Sequence, residues 1–238
     1  MNELKKYLNQ YDSPRILDIG SGKGDFINLI DYIYQDYREI IGIDIVDYLL
    51  EMDESAFKNN PKIKWMDKDV LETTFPKHSF DIISLSNTLH HIKDIKSMFK
   101  QMVDLLAPNG IIIISELMTD KNLTDKQISH RLLHSFAAKL DHEYNKVHAQ
   151  VFTKANIFQA IEMFSPLPII DYWQLHTMPY EEEITLEDLY RLIDGALEKV
   201  QESSHYNLYK DEADEIKKHL KENGFSFANT LCVILKKQ

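Results

Sequence analysis

The chain has 238 residues, enough for one α/β domain or for a core domain with a lid. Its 38 acidic residues outnumber its 27 lysines and arginines, which gives a net charge of −11. Nucleic acid is therefore not expected as a partner, because phosphate contacts need clustered basic residues. The single cysteine, Cys232, rules out an internal disulfide and a cysteine-rich metal cluster.

The sequence predicts a soluble, cytoplasmic protein with no membrane partner. Its first residues lack the apolar core of a signal peptide. No window approaches the roughly 18 uninterrupted apolar residues of a membrane span. The absence of disulfides also fits the cytosol. A homo-oligomer is compatible with the sequence, with the helical segment 185–223 as a candidate subunit contact.

Strands and helices are predicted to alternate through the first half of the chain. The predicted strands cover 15–20, 39–45, 62–70, 80–87 and 111–117. The predicted helices cover 2–12, 25–37, 47–60 and 94–107, and a turn is predicted at 108–110. This alternation favours a parallel sheet with helices on both faces.

The second half is predicted to be mainly helical. Its helices are predicted at 124–144, 153–164, 185–202 and 211–223, and its strands at 168–177 and 228–237. Apolar residues at helical spacing and N-cap residues such as Thr153 support the helices. A helical segment between the last two strands is expected to form a cap or an extension of the sheet edge.

Three glycines at alternate positions follow the first predicted strand. Gly20, Gly22 and Gly24 allow a tight turn, and a helix begins at Asp25. Such a turn delivers a helix N-terminus and backbone N–H groups to a ligand. Asp44 ends the second strand, twenty residues after Gly24. Its carboxylate is therefore expected at the same sheet edge, where it can accept hydrogen bonds from both ribose hydroxyls of an adenosine.

The spacing of these glycines discriminates between nucleotide ligands. A dinucleotide site uses G-x-G-x-x-G, but Asp25 stands where the third glycine would be. A carboxylate repels a pyrophosphate and attracts a sulfonium or an ammonium group. The loop therefore favours S-adenosylmethionine over NAD, and an NAD-dependent oxidoreductase is disfavoured.

Four ordered segments between residues 14 and 118 resemble the class I S-adenosylmethionine-dependent methyltransferase family. They are LDIGSGKGDF, IGIDI, WMDKDVLETTFPKHSFDIISLSNTLHHI and LLAPNGIIIISE. The resemblance implies an α/β fold with a Rossmann-like, doubly wound, mostly parallel seven-stranded sheet, an antiparallel last strand and a helical insertion or lid. It also implies S-adenosylmethionine as cofactor and S-adenosylhomocysteine as product.

On this basis residues 1–238 are predicted to form a single methyltransferase domain. Its core would span 14–118, 150–176 and 226–238, its helical lid 119–149, and its helical insertion 183–223.

The resemblance also implies how the methionine and ribose parts of the cofactor would be held. Asp18 and the backbone of Gly20 and Gly22 would contact the methionine part. Asp44 would bind the ribose, and Ile45 would pack on the face of the adenine ring.

The adenine edge and the gap to the acceptor are assigned in the same way. Asp69 and the N–H of Val70 would face the adenine amino group and a ring nitrogen, with Asp67 as a competing candidate for the carboxylate. Ser86 and Asn87, at the end of the fourth strand, would line the gap between cofactor and acceptor, with Ser86 on the cofactor side.

Histidines follow the fourth strand and recur in the predicted lid. His90 and His91 are candidate general bases if the acceptor carries a proton, although the family often has such a pair in a structural role. Glu116 and His134 are candidate substrate contacts. His130 and His134 have the i, i+4 spacing of zinc ligands, but no HExxH pattern is present and no metal site is predicted.

The leading prediction is methylation of a small molecule that the sequence does not name. RNA or protein methylation is the alternative enzyme function, but its signatures are weak: no Asn-Pro-Pro-Tyr follows the fourth strand. A catalytically inactive S-adenosylmethionine-binding protein is the alternative from outside the enzymes.

Overall fold

The structure, a computed structural model, describes residues 1–45, 60–119, 122–144, 148, 151–175 and 184–237. The helix predicted at 47–60 lies outside these residues, apart from its last position. The described strands are β1 (Arg15–Ile19), β2 (Glu39–Asp44), β3 (Ile63–Asp67), β4 (Phe80–Ser86), β5 (Leu106–Leu117), β6 (Ile169–Leu175) and β7 (Thr230–Lys236). The α-helices in this part of the chain are α1 (Asn2–Leu8), α2 (Asp25–Ile33), α3 (Ile95–Leu105), α4 (Asp125–Glu143), α5 (Lys154–Phe164), α6 (Leu186–Lys199) and α7 (Tyr206–Asn223).

All of these strands belong to one sheet, in the order β3-β2-β1-β4-β5-β7-β6. The pairs β3–β2, β2–β1, β1–β4 and β4–β5 are parallel. β7 runs antiparallel to both of its neighbours, β5 and β6. The predicted Rossmann-like sheet with an antiparallel last strand is confirmed. Its strand order reverses between β1 and β4, which is where open α/β sheets form their ligand sites.

Helices bury both faces of the sheet, which explains the unbroken apolar runs of its central strands. Ile112 and Ile113 of β5 are completely buried although they point to opposite faces. Ile112 belongs to the apolar cluster that includes Phe99 of α3, and Ile113 to the cluster that includes Leu29 of α2. An alternating strand would have exposed one of these faces to water, so the sequence pattern already required two covering layers.

A third apolar cluster joins α4, α6 and α7. It contains Phe136 of α4, Ile193 of α6 and Ile216 of α7, each nearly inaccessible to solvent. The segments predicted as a lid and as an insertion therefore pack against each other. Among the described residues, no helix combines the length and apolar character needed to cross a bilayer.

α2 ends four residues before its predicted end. Tyr34 takes an extended conformation directly after Ile33 and closes the helix. Tyr37 then folds inward: its hydroxyl donates to Asp31 and accepts a hydrogen bond from the Asn60 side chain. The apolar spacing was helical as far as Tyr37, but tertiary hydrogen bonds at that residue override it.

The turn predicted around Asn109 interrupts β5 as a bulge. Leu106 pairs with Phe80, whereas the next pair joins Ile111 to Ile82, so four residues of β5 face a single residue of β4. Asn109 has a φ of 62°, the left-handed conformation that asparagine tolerates better than most residues. The turn is thus present, but the strand begins before it.

We expect Gly42→Ala to lower the free energy of unfolding by about 1–3 kcal/mol. A Cβ on Gly42 of β2 would lie 2.5 Å from the Trp65 ring and 2.9 Å from Cδ1 of Ile27. Gly195→Ala in α6 is the control, because its Cβ would meet no atom within 4 Å. Alanine stabilises a helix interior by about 1 kcal/mol relative to glycine, so this variant should not be less stable than the parent. Urea denaturation of both variants measures the difference. Equal midpoints for Gly42→Ala and the parent would contradict the packing of β2 described here.

Candidate functional site

The glycine loop is a tight left-handed turn between β1 and α2. Gly20, Gly22 and Gly24 have φ values of 66°, 50° and 88°. A Cβ on Gly20 would come within 2.3 Å of the Thr88 side chain, whereas one on Gly22 would meet no atom within 4 Å. The loop therefore packs against the segment after β4 at its first glycine and opens to free space at its second.

The N–H groups of this loop are held by the end of β2. Gly20 and Ser21 donate to the carbonyl of Ile43 at 2.9 and 3.1 Å. Gly22 donates to Oδ2 of Asp44 at 2.6 Å. Since these donors are engaged, a cationic group above the loop would meet carbonyl oxygens and carboxylates, which still have free lone pairs.

Asp18 is a buried carboxylate with one unpartnered oxygen. Its side chain lies at the end of β1 with 1% exposure, and Oδ1 accepts a hydrogen bond of 2.6 Å from the Ser84 hydroxyl. Oδ2 has no partner among the described residues. Burial raises the pKa of Asp18 to about 7, aided by the charges of Asp44 and Asp25 and opposed by Ser84. Leaving such an oxygen unpaired is costly, so the position suits a cationic ligand group.

Asp44 keeps capacity for a ligand at the neighbouring strand end. Its Oδ1 accepts from the N–H of Ile45 at 2.7 Å and its Oδ2 from Gly22. A carboxylate has about four lone-pair positions, so two remain for a pair of hydroxyls. The Ile45 side chain is 68% exposed at the same edge, an unusual position for isoleucine that a flat apolar ligand would cover.

The carboxylates of β3 and its continuation complete this edge. Asp67 stands beside Asp44 in the β2–β3 register. Asp69 caps a single 3-10 turn at Val70–Glu72, with Oδ1 accepting from the N–H of Leu71 at 2.9 Å. Both acids are solvent-exposed while Val70 is buried, so burial does not distinguish the two candidate carboxylates.

Ser86 and Asn87 fasten the end of β4 to its surroundings. The single hydrogen of the Thr88 hydroxyl is shared between the carbonyl of Ser86 at 2.7 Å and the carbonyl of Gly20 at 3.1 Å. Asn87 has a φ of 47° and its side-chain oxygen accepts from the N–H of Leu117 at 2.9 Å. The amide oxygen of Asn87 thus ties β4 to β5.

Glu116, a predicted substrate contact, is bonded to the segment that follows β4. Its side chain is completely buried, and both oxygens are used within the chain. Oε2 accepts from the N–H of Leu89 at 2.9 Å, and Oε1 is hydrogen-bonded to Nδ1 of His90. Glu116 therefore orients His90, and its role as a substrate contact stays a prediction.

His134, which is half-buried, meets the buried His90 and His148 in one cluster, which we call the histidine trio. Nε2 of His134 lies 3.2 Å from Nε2 of His90 and 3.3 Å from Nε2 of His148. Nδ1 of His148 is 2.6 Å from Oδ2 of Asp141. The ring of His91 packs 4.2 Å from those of His90 and His148, centroid to centroid. Burial, then the neighbouring histidines, lowers the pKa of His134 to about 3.

The i, i+4 pair considered from the sequence does not share a site. Nδ1 of His130 accepts from the N–H of Ala228 at 2.9 Å, and its ring packs between Phe225 and Phe227. Sequence spacing missed the actual trio because its members come from three segments, after β4, within α4 and after α4. A histidine at each position was visible, but only the fold brings them together.

Comparison with known proteins agrees with this fold. A family model described as "Methyltransferase domain" matches residues 2–166. Phosphoethanolamine N-methyltransferase 1 of Zea mays is 30% identical over 118 residues, which are 48% of this chain, and the chain spans only 23% of that protein.

Two solved structures share the whole fold at low identity. A SAM-dependent methyltransferase of Methanosarcina mazei aligns with a TM-score of 0.59 and 16% identity, covering 100% of this chain and 97% of that one. Phosphoethanolamine N-methyltransferase 2 of Haemonchus contortus, in complex with phosphomonomethylethanolamine and S-adenosylhomocysteine, aligns with a TM-score of 0.56 and 16% identity over 98% of this chain and 51% of that one. The family match covers well over half of the sequence, so this chain belongs to the methyltransferase domain family.

Proposed function

We propose that this chain transfers a methyl group from S-adenosylmethionine to a small-molecule acceptor. The observation that carries the proposal is the unpartnered, buried oxygen of Asp18 beside the glycine loop, with Asp44 at the next strand end. A cation is needed at the first position and a pair of hydroxyls fits the second, as the methionine and ribose parts of S-adenosylmethionine provide. Membership of the methyltransferase domain family supports the same ligand.

When bound, S-adenosylmethionine supplies an electrophilic methyl group on a sulfonium and leaves as S-adenosylhomocysteine. In this proposal Asp18 accepts a hydrogen bond from the ammonium group, and the carbonyl of Gly20 offers a second acceptor beside it. The loop at Gly22 leaves room for the methionine chain. Asp44 accepts hydrogen bonds from both ribose hydroxyls, and Ile45 covers one face of the adenine.

The remaining contacts follow the sheet edge. Asp69 is proposed to accept a hydrogen bond from the adenine amino group, and the N–H of Val70 to donate one to a ring nitrogen. Asp67 is the alternative carboxylate. Ser86 and Asn87 would then separate cofactor from acceptor. Both acids are exposed at this edge of the sheet.

The acceptor is proposed to enter between the segment after β4 and the α4–α6–α7 bundle. His90, His91 and His134 belong to that side, and the bundle would act as the cover that excludes water from the transfer. A small acceptor fits the acidic charge of −11, and the named substrate of the related maize enzyme is also small. The division into a core, a lid at 119–149 and an insertion at 183–223 forms part of this proposal.

Calorimetric titration with S-adenosylmethionine and S-adenosylhomocysteine tests the proposal. We expect Asp44→Ala to weaken binding at least about tenfold, because hydrogen bonds to a charged group contribute about 1.5–3 kcal/mol. Asp214→Ala, which removes an exposed carboxylate of α7, should leave binding unchanged. Thermal unfolding of each variant controls for loosening of the loop at Gly22. If neither nucleoside binds the parent protein, the proposed function is wrong.

Binding of S-adenosylmethionine at about pH 6 should release a proton. The free protein holds Asp18 largely protonated at that pH, since its pKa is about 7. An ammonium group against Oδ2 favours the ionised form and lowers this pKa, so affinity should rise as the pH rises toward 7. Titrations in buffers of different ionisation enthalpy measure the release. Asp18→Asn should show none, and an equal release from this variant would locate the proton elsewhere.

A further inference from the structure

We propose that His90, His134 and His148 bind a divalent transition metal through their Nε2 atoms, and that zinc is the ion that fits best. The three residues are the group of potential metal ligands that the described part of the chain brings together, with one ring nitrogen from each within 4.8 Å of the other two. The inference goes beyond methyl transfer, and the metal can be tested without the cofactor.

The spacing of the nitrogens matches a tetrahedral ion. Zinc–nitrogen bonds of about 2.0–2.1 Å in tetrahedral geometry separate two ligand nitrogens by roughly 3.3–3.4 Å. The two Nε2 contacts of His134 measure 3.2 Å to His90 and 3.3 Å to His148. Two edges of the ligand triangle therefore already have the length that zinc requires.

Carboxylates behind two of the rings set the tautomers that a metal needs. Nδ1 of His90 is bonded to Glu116, and Nδ1 of His148 to Asp141 at 2.6 Å. An ionised carboxylate only accepts, so each Nδ1 carries the proton and each Nε2 presents a lone pair to the centre. Around protein-bound zinc, a histidine ligand usually donates its other ring N–H to a group that does not bind the metal, and a carboxylate is one of the common acceptors.

Without a cation these lone pairs are poorly matched. His90 and His148 both point an acceptor nitrogen toward Nε2 of His134, which can carry only one hydrogen. One N–H cannot make two well-directed hydrogen bonds. A metal ion satisfies all three nitrogens at once.

The trio is built into the protein and is not a chance surface cluster. His90 is 4% exposed, His148 is 6% exposed and Glu116 is fully buried. Three histidines without a carboxylate ligand favour zinc over non-haem iron, whose oxygenase sites add a carboxylate to two histidines. Three protein ligands also leave a fourth position open, as in zinc sites that bind a substrate or water.

The open position suggests the class of acceptor, a step that rests on the proposed function. A hydroxyl or thiol bound to zinc loses its proton to solvent far more readily than in water. Its lone pair would then form the bond to the methyl carbon while the carbon–sulfur bond breaks and leaves its electrons on the sulfur. The acceptor class is thus a small molecule with an ionisable hydroxyl or thiol.

Metal binding by the chelator-treated full-length protein is the direct test. We expect one zinc ion per chain, measured in competition with a chromophoric zinc chelator, and an intense visible absorption of tetrahedral type when cobalt(II) replaces it. His134→Ala and His148→Ala should each lose at least about tenfold in zinc affinity. Asp141→Asn, which leaves all three ligands in place, should lose about 10–100-fold. His142→Ala, an exposed histidine of the same helix, is the matched control and should bind as the parent does.

The outcomes separate the metal site from the proposed function. Zinc binding by the parent that is no tighter than binding by His134→Ala would overturn the metal site and leave the trio as a hydrogen-bonded cluster. Thermal unfolding with and without zinc shows whether a variant that fails to bind is folded. If S-adenosylhomocysteine binds and zinc does not, only this inference fails. If zinc binds at the trio and neither nucleoside binds, the metal site stands and the methyl-transfer proposal fails.

Discussion

Parallel pairing of β1 with β2 on one side and with β4 on the other sets the positions of Asp18, Asp44 and Ser86 in the candidate site. In this register Asp18 stands between Gly42 and Ser84. All three strands end at the same edge, so their terminal polar residues gather there while the apolar runs behind them stay buried. Gly42 also lets the Trp65 ring approach β2 closely. The same strand register therefore determines both the apolar packing within the sheet and the cluster of polar residues at its edge.

This edge of the sheet brings several carboxylates together, and the charged form of Asp18 is disfavoured there. Asp18, Asp25 and Asp44 lie close enough for the last two to raise the pKa of the first, and burial of Asp18 raises it further. Only Ser84 among its described partners stabilises the charged form. Burial of such a carboxylate without a partner costs stability, and this cost is the reason that the proposed function places a cation beside Asp18. The same charges oppose a pyrophosphate, which agrees with the position of Asp25 at the start of α2.

Local pattern predicted the sheet and the glycine loop, but not the groups that the fold brings together from far apart. Gly20, Gly22 and Asp44 were recognisable because the spacing that marks them is a property of one strand–turn–helix unit and the next strand. Glu116 was visible at the end of β5, yet its bonds to Leu89 and His90 depend on the pairing of β4 with β5. No periodicity reports such a contact, so the sequence could not show that Glu116 holds His90.

The histidine trio illustrates the same limit more strongly. The regular i, i+4 spacing drew attention to His130 and His134, but His130 is occupied by the backbone of Ala228. His134 instead faces His90, 44 positions away along the chain, and His148, which follows α4. Helical spacing can show that two side chains share a face, but not what that face packs against.

One short segment after β4 connects the two halves of the site. Thr88 donates to the carbonyl of Gly20, and the next N–H, that of Leu89, is held by Glu116, which also holds His90. A shift of the glycine loop would therefore act on Thr88, and a shift of Thr88 on the residues that position the trio. These contacts are partly or fully buried, where hydrogen bonds have little competition from water. The glycine loop and the histidine trio are thus connected through the same three residues, Thr88, Leu89 and Glu116.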